Sequence, residues 1–515
     1  MLFTRFFTLN MERGVLMKYL PTGQQMRDAD LFTINHIGIT SMVLMERAAL
    51  KVVESMENEQ CDFTKVLVLC GSGNNGGDGY AVARLLHLKG HSVDICFVGN
   101  ENSRSEENQN QKRITDYYQI STVTNIEEKE YSVIIDAILG TGLKRNIEGH
   151  YHDIIMKANH KNAKKVAIDI PSGIHDSTGE IMGIAFKADI TVAIAFVKRG
   201  LILHPGTQYT GKICEADIGI TADLLGKPEA LTVGYDKEDL SKNYPKRRPN
   251  SHKGSYGKVL IIAGSKGMSG AAYLSAKAAY TVGAGLVQIY TTADNRIILQ
   301  QLLPEAIVKT YDTYDETELR ELLLWADVVG IGCGLGKSET SVHIVRQTLK
   351  EAKCPCVVDA DALNILAENE SWMNHLNQDV IMTPHMKEMS RLLHCSVSEL
   401  NENRFEYLEH FVSKYGVTCA LKDARTLVQK KGEFIYINLS GNAAMAKGGS
   451  GDVLTGIIAG IVGQKTDCYS AACLGVYLHG LAGDYAKEKK GSFSVLASDI
   501  VEGICGVLRE KDMLF

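Results

Sequence analysis

The sequence predicts two consecutive α/β units, each built on a largely parallel sheet covered by helices on both faces. Runs such as Lys65-Val-Leu-Val-Leu-Cys-Gly and Gly257-Lys-Val-Leu-Ile-Ile-Ala-Gly are apolar without alternation, so both faces of those strands must be buried. Helical stretches separate them, the order expected of strand–helix–strand crossovers. At 515 residues, 45% hydrophobic and 23% charged, the chain is long enough for two or three domains of roughly 100 to 200 residues each.

In the first unit, residues 24 to about 57 read as one or two helices on the apolar positions Met42, Leu44, Met45, Ala48, Ala49, Val52 and Val53. A strand over 65–70 follows, then a helix after Asp78. Further strands are expected over 93–98, 133–139, 166–170 and 190–196. Between Ile220 and Tyr256 the apolar pattern weakens and Pro228, Pro245 and Pro249 appear, which puts a boundary near residue 235. The second unit restarts at Gly257. It continues with an Ala-rich helix over 270–281, strands near Leu286, Val328, Val357, Val380 and Thr418, and closing helices that include 470–489. The expected organisation is 17–235 and 236–515. Residues 1–16 hold three Phe without a partner segment, whereas Met17-Lys-Tyr-Leu-Pro opens a regular pattern. We expect Met17 to be the natural start and 1–16 a non-native or disordered extension.

A formal net charge of -6 supplies no basic field for nucleic acid or acidic membranes, so an anionic ligand needs a local site. The basic run Lys246-Arg247-Arg248, with His252-Lys253 nearby, reads first as a solvated linker and second as a phosphate-facing segment. The 12 cysteines include no Cys-x-x-Cys and no zinc-finger spacing, which fits reduced thiols of a cytoplasmic enzyme. No apolar run reaches the roughly 20 residues that span a bilayer. Met1-Leu-Phe-Thr-Arg-Phe-Phe is too short for a signal segment.

Three places carry chemistry. Lys447-Gly-Gly-Ser-Gly-Asp452 runs into the apolar helix Val453-Leu-Thr-Gly-Ile-Ile. Glycine N–H groups and the positive helix end form a phosphate cradle. Asp452 stands there as a base for a hydroxyl accepting a phosphoryl group, or as an ordinary N-cap. Cys70-Gly-Ser-Gly-Asn-Asn-Gly-Gly-Asp78 joins a strand to a helix, where open parallel sheets bind ligands, yet matches neither the P-loop nor a dinucleotide fingerprint. Asp136 and Asp169 each close an apolar strand, and an unpaired buried carboxylate is costly without a task. With Asn75 and Ser172 they supply hard oxygen ligands, so one acid is suited to hold a cation and the other to move protons.

Gly71-Ser-Gly-Asn-Asn-Gly-Gly-Asp-Gly, Asp136-Ala-Ile-Leu-Gly-Thr-Gly, Asp169-Ile-Pro-Ser-Gly and Leu44-Met-Glu together resemble the NAD(P)H-hydrate epimerase family. The resemblance implies a Rossmann-like three-layer fold and interconversion of the R and S forms of NAD(P)H hydrated at C6. It implies substrate contacts at Asn74, Asn75, Gly76, Gly77 and Asp78, at Gly140, Thr141, Gly142, Leu143, Lys144, Arg145 and Asn146, and at Asp169, taken as the catalytic acid–base. A potassium ion is implied at Asn75, Asp136 and Ser172. Arg47-Ala48-Ala49 stands where the family often has Ala-Gly.

The second half is similar to the ribokinase-like fold and, more narrowly, to the ADP-dependent NAD(P)H-hydrate dehydratase family. His252-Lys-Gly, Gly264-Ser-Lys-Gly-Met-Ser-Gly, Gly332-Cys-Gly-Leu-Gly, Asp359-Ala-Asp-Ala-Leu-Asn and Thr383-Pro-His-Met-Lys-Glu agree with it. This implies ADP contacts at Lys422, Asp423, Ala424, Arg425 and Thr426. The same is implied for Asn442, Ala443, Ala444, Met445, Ala446, Lys447, Gly448, Gly449, Ser450 and Gly451. Ala272, Gly334, His385 and Asp452 would face the hydrated nucleotide, with Asp452 as catalytic base. Lys387 replaces a common Gly. Asp359 or Asp361 holds a metal or water near the phosphates, or caps the following helix. The implied cofactors are K+ and Mg2+, with ADP as co-substrate and NADHX or NADPHX as substrate, in a homo-oligomer that binds neither nucleic acid nor membrane. The alternative is a ribokinase-like vitamin or sugar kinase with a non-catalytic nucleotide-binding N-terminal module.

Overall fold

The computed structural model describes residues 17–227, 230–376 and 379–512; the expected extension at 1–16 lies outside them. Contacts divide the chain into two compact units, one spanning Tyr19–Lys227 and one containing Pro228–Phe515. The weakened pattern placed the boundary near 235. Thr232–Gly234 nevertheless pairs with Ile435–Ile437, which brings those residues into the second sheet.

The first unit opens with α1 (Gly23–Phe32) and α2 (Ser41–Asn58). Thr22 starts α1 through a reciprocal capping box with Gln25. A π-turn ending at Gly38 (φ 90°) separates the two helices, which resolves the one-or-two-helix expectation. Then follow β1 (Val66–Cys70), α3 (Asn74–Leu88), β2 (Val93–Phe97), α4 (Glu106–Tyr117), β3 (Ser121–Thr122), β4 (Val133–Ala137), α5 (Gly149–His160), β5 (Lys164–Ile168), β6 (Ile190–Ile194) and β7 (Lys212–Ala216). The sheet order is β3-β2-β1-β4-β5-β6-β7, parallel throughout. Order reverses between β1 and β4, where Rossmann-like sheets open a crevice at their carboxyl ends. Alternate residues of β1 feed opposite cores: Val66, Val68 and Cys70 pack with α2 and α3, while Leu67 and Leu69 pack with Ile154, Ile155 and Ala158 of α5. That is why the strand reads as continuously apolar.

The second unit holds β8 (Thr232–Gly234), α6 (Lys237–Asn243), β9 (Lys258–Ile262), α7 (Ser269–Thr281), β10 (Leu286–Thr292), α8 (Arg296–Leu302), β11 (Ile307–Tyr311), α9 (Glu316–Trp325), β12 (Val328–Ile331), α10 (Glu339–Glu351) and β13 (Cys356–Val358). It continues with α11 (Ala360–Glu368), β14 (Val380–Met382), α12 (Met386–Leu393), α13 (Val397–Glu402), α14 (Arg404–Tyr415), β15 (Thr418–Leu421), β16 (Leu427–Gln429) and β17 (Ile435–Ile437). Three helices close it: α15 (Ser450–Gly463), α16 (Cys468–Lys490) and α17 (Ala497–Asp512). Its strands run in the order β8-β17-β16-β15-β14-β13-β12-β9-β10-β11. The β15–β16 and β16–β17 pairs are antiparallel. Helix α15 is buried from Val453 to Gly463. A Cβ on Gly456 would lie 2.0 Å from the Ser275 carbonyl oxygen, so glycine there lets α15 meet α7 backbone to backbone. Among the described residues no helix is long and apolar enough to cross a membrane.

Candidate active sites

A cleft of about 540 Å³ opens at the strand-order reversal of the first unit. Met26 and Asp30, one turn apart on α1, line one part of it. Ser72 and Gly73 come from the β1–α3 turn, Asn74, Asn75 and Asp78 from the start of α3, Ile138 to Arg145 from the loop after β4, Asp169 from just after β5, Ile194 from the end of β6 and Lys198 from beyond it. The predicted glycine loop is shorter than expected, because α3 begins at Asn74. Gly76 and Gly77 therefore sit inside the helix and face away from the cleft. Added Cβ atoms would lie 2.0 Å from the Gly71 carbonyl oxygen and 2.7 Å from Met45 Cε, so these glycines serve close packing. Asn146 lines a smaller cavity that shares Leu139, Leu143 and Arg145 with the main cleft.

Asp169 adopts a left-handed backbone (φ 69°), a conformation Asp tolerates better than most residues. Its Oδ1 accepts the Ile194 N–H at 3.1 Å and forms an ion pair with Lys198, a lysine only 2% exposed. Lys198 Nζ also donates to the Ile194 carbonyl at 2.6 Å. Burial pushes the Asp30 carboxyl up to about 6, with Lys198 opposing and Asp169 adding to the shift. Burial, then Asp169 and Asp30, hold Asp78 well above the ordinary carboxylate range.

Asp136 is fully buried. Its Oδ1 accepts the Ser172 hydroxyl at 2.7 Å and the Ile138 N–H at 3.1 Å, and its Oδ2 accepts the Ser172 N–H at 2.7 Å. These donors are neutral, and burial raises the carboxyl to about 6 against their pull. Close by, Gly140 leaves 3.2 Å between its would-be Cβ and Asn75 Cβ. Both polar atoms of the Asn75 amide are buried without a hydrogen-bond partner among the described residues. A buried orphan amide is unfavourable unless a ligand completes it.

In the second unit Lys422 bonds Asp359 and acts on the predicted base, Asp452, through its charge. Asp452 lies in the first turn of α15 and Gly449 (φ 94°) occupies the N-cap, so Asp452 is not the cap. Burial raises its carboxyl to about 6; the Cys333 thiol that hydrogen-bonds it and Lys422 pull the other way, while Asp359 adds to the rise. Asp359, 1% exposed, is fully engaged: Lys422 Nζ (2.6 Å) and the Ala360 N–H (2.8 Å) on Oδ1, and the Thr455 hydroxyl (2.7 Å) on Oδ2. It caps α11, the second of the two roles expected for it. Asp361 accepts the Gly336 N–H at 2.7 Å and so shapes the Gly332–Gly336 loop.

His385 and Lys422 bridge adjacent strand ends. His385 caps α12: Nδ1 accepts the N–H groups of Lys387 (3.1 Å) and Glu388 (3.2 Å), and Glu388 Oε2 returns a bond to the His385 N–H (2.8 Å). Burial and Lys422 lower the imidazole, so the neutral ring carries its proton on Nε2 and is a donor. Glu388 is pushed by burial to about 7. Lys387 takes its place in α12 without a break.

The remaining nucleotide-facing candidates divide. Gly448 has open space where a Cβ would go, whereas one on Gly449 would lie 2.7 Å from Leu274 and 2.9 Å from Ala497. Asp484 secures the approach to this loop by accepting the Gly441 N–H (2.9 Å) and the Asn442 amide (2.7 Å). Ser450 donates to the Met445 carbonyl at 2.7 Å. Asp423 pairs with Arg404 at 3.1 Å, and Thr426 is buried. Ala272 is fully enclosed and gives the site shape only. Sequence reasoning missed Met26, Asp30, Ser72 and Lys198 in the first unit, and Cys333, Thr455 and Asp484 in the second. Lys198 had a legible signal, since it closes the apolar run 190–197.

Residues 259–505 match the family model described as NAD(P)H-hydrate dehydratase, and residues 41–200 match that of the YjeF-related protein N-terminus. The bifunctional NAD(P)H-hydrate repair enzyme Nnr of Moorella thermoacetica is 36% identical over 519 residues, covering 96% of this chain and 97% of that protein. The enzyme of that name from Escherichia coli strain K12 is 37% identical over 90% of this chain and 89% of its own. Among solved structures, a ribokinase-like superfamily protein from Enterococcus faecalis V583 is 29% identical, with a TM-score of 0.49, over 54% of this chain and 96% of its own. Matched along both units, the chain belongs to the family of bifunctional NAD(P)H-hydrate repair enzymes.

Proposed function

We propose that the first unit interconverts the R and S hydrates of NAD(P)H and that the second dehydrates the S form at the expense of ADP. The observation that carries the second reaction is Asp452, a half-buried carboxyl raised to about 6 beside a glycine cradle at the amino end of α15. A carboxyl near that value is mostly ionised at neutral pH, yet a stronger base than an ordinary carboxylate. Asp452 takes the proton of the C6 hydroxyl as the oxygen attacks the β-phosphorus of ADP. The bond from β-phosphorus to the bridging oxygen breaks and AMP leaves. The N–H groups of the cradle meet the growing phosphoryl charge. The ring nitrogen lone pair then expels phosphate from C6, and loss of the C5 proton completes NAD(P)H. His385 Nε2–H is suited to donate to the substrate. Lys422, neutralised by Asp359, positions the surrounding strand ends.

In the first unit we assign proton transfer to Asp169 and substrate contacts to the cleft-lining residues. The orphan amide of Asn75, the Asp136 carboxylate and the Ser172 hydroxyl fit a potassium ion. It would supply the positive charge that Asp136 lacks and fix the loop after β4. The Mg2+ expectation fits less well, because Asp359 and Asp361 already accept hydrogen bonds at close range. All 12 cysteines are free, which supports a cytoplasmic setting. The relatives match along both units, which favours this reading over a kinase with a passive N-terminal module.

The test supplies the full chain with mixed NADHX epimers and follows absorbance of the reduced nicotinamide ring. With ADP, both epimers should be consumed, the R form faster than its spontaneous conversion. Phosphorylation of a small alcohol by ATP, with no NADH formed, would sink the proposal.

A further inference from the structure

We propose that Asp30 on α1 is a second catalytic proton-transfer residue of the first cleft, working with Asp169 at the C6 oxygen of the hydrated ring. The inference rests on the reading of the first unit as an epimerase. Inversion at C6 must break a bond to that carbon. The adjacent ring nitrogen makes the C6–O bond the one to break: an acid protonates the hydroxyl, the electron pair leaves with water, and the nitrogen lone pair forms an N1=C6 iminium. Water then adds to the other face of the ring and gives its extra proton to a carboxylate. One proton is given and one taken, nothing is oxidised, and no co-reactant is consumed. The chemistry needs one protonated and one ionised carboxyl together, and the reverse direction exchanges their roles.

The cleft supplies such a pair. Asp169 is held by Lys198 and the Ile194 N–H. Asp30 lines the same cleft, yet among the described residues no hydrogen bond or ion pair ties its carboxyl. Asp176, by contrast, is committed to Arg27, Ser177 and the Gly142 N–H. Lys198 and Asp169 are the charges that act on Asp30 most strongly. A carboxyl at about 6 can hold or release a proton near neutrality. Asp78, also in the cleft, is raised well above the ordinary carboxylate range by burial, with Asp169 and Asp30 adding to the rise.

The experiment uses the full chain without ADP, starting from the R hydrate and separating epimers by chromatography. Asp30→Asn should slow R-to-S conversion about 100-fold or more, toward the spontaneous rate, the scale of losing a general acid–base. Asp30→Glu should recover at least a tenth of the wild-type rate. The Asn variant should melt no lower than wild type at pH 7, because burial already penalises the charged form, and should still dehydrate the S hydrate once ADP is added. In 18O-labelled water, wild-type inversion should place label at C6. Full epimerase activity in Asp30→Asn, or inversion without label, overturns the proposal. A wild-type chain that leaves the spontaneous rate unchanged overturns instead the assignment of epimerisation to the first unit, and the role of Asp30 with it.

Discussion

The two units solve the same electrostatic problem differently. Each buries a carboxylate at the carboxyl end of a central strand, Asp136 near the end of β4 and Asp359 just after β13. Asp359 has its own cation, Lys422 at 2.6 Å. Asp136 has only neutral donors, and its carboxyl rises to about 6. A site that carries its own lysine is complete as folded. One that does not leaves a charge deficit for a bound ion to fill. The contrast sets a buried acid that carries its own lysine beside one with neutral donors alone, where we propose the potassium ion.

The contrast breaks first at Lys422. Lys422→Met strands Asp359 as a buried charge and should lower stability by about 3 kcal/mol, read from the denaturant midpoint at pH 7; a loss within error would show that the pair is not what supports Asp359. Next, Asp452→Asn should reduce ADP-dependent turnover about 100-fold, roughly 2.7 kcal/mol of barrier, while epimerisation continues. Wild-type turnover should fall as pH drops below about 6, an apparent value shared with Asp359, Asp361, Lys422 and Cys333. Turnover that stays flat from pH 7 to 5 removes Asp452 as the base.

Third come the neighbouring glycines. Gly449→Ala must hold φ 94° against Leu274 and Ala497 and should cost about 2 kcal/mol. Gly448→Ala meets open space and should leave the melting temperature alone while weakening ADP binding. Equal destabilisation of the two would refute this division of the loop.

The smallest effect concerns the ion. The folded Asp136 carboxyl lies above its unfolded value, so its contribution is favourable at low pH and is lost as pH rises from about 4 through 6. Potassium restores it by stabilising the ionised form. Replacing K+ with a bulky organic cation at pH 7 should therefore cost on the order of 1 kcal/mol, and the difference should shrink at pH 5. A gap that widens on acidification would exclude Asp136 as the ligand.

Much of this was readable along the chain, and the failures share a cause. Asp136 and Asp169 stood out because a carboxylate closing an apolar strand demands a partner or a task, and Asp452 because it follows a glycine cradle at the head of an apolar helix. Asp30 did not, because Asp28-Ala29-Asp30 on an amphipathic helix looks like a solvated face. Gly76 and Gly77 looked like ligand-cradling residues because a glycine-rich string does not reveal where the helix begins. Met45 and Gly71, which take up their space, are known only after folding.

Local patterning alone therefore determined the two parallel sheets, their glycine turns and the acids at the strand ends, since period and burial act over a few neighbouring residues. The tertiary structure alone decided which charges meet: Lys198 reaches Asp169 across 29 residues and Lys422 reaches Asp359 across 63. Coulomb energy and desolvation depend on distance and burial in space, which separation along the chain does not encode.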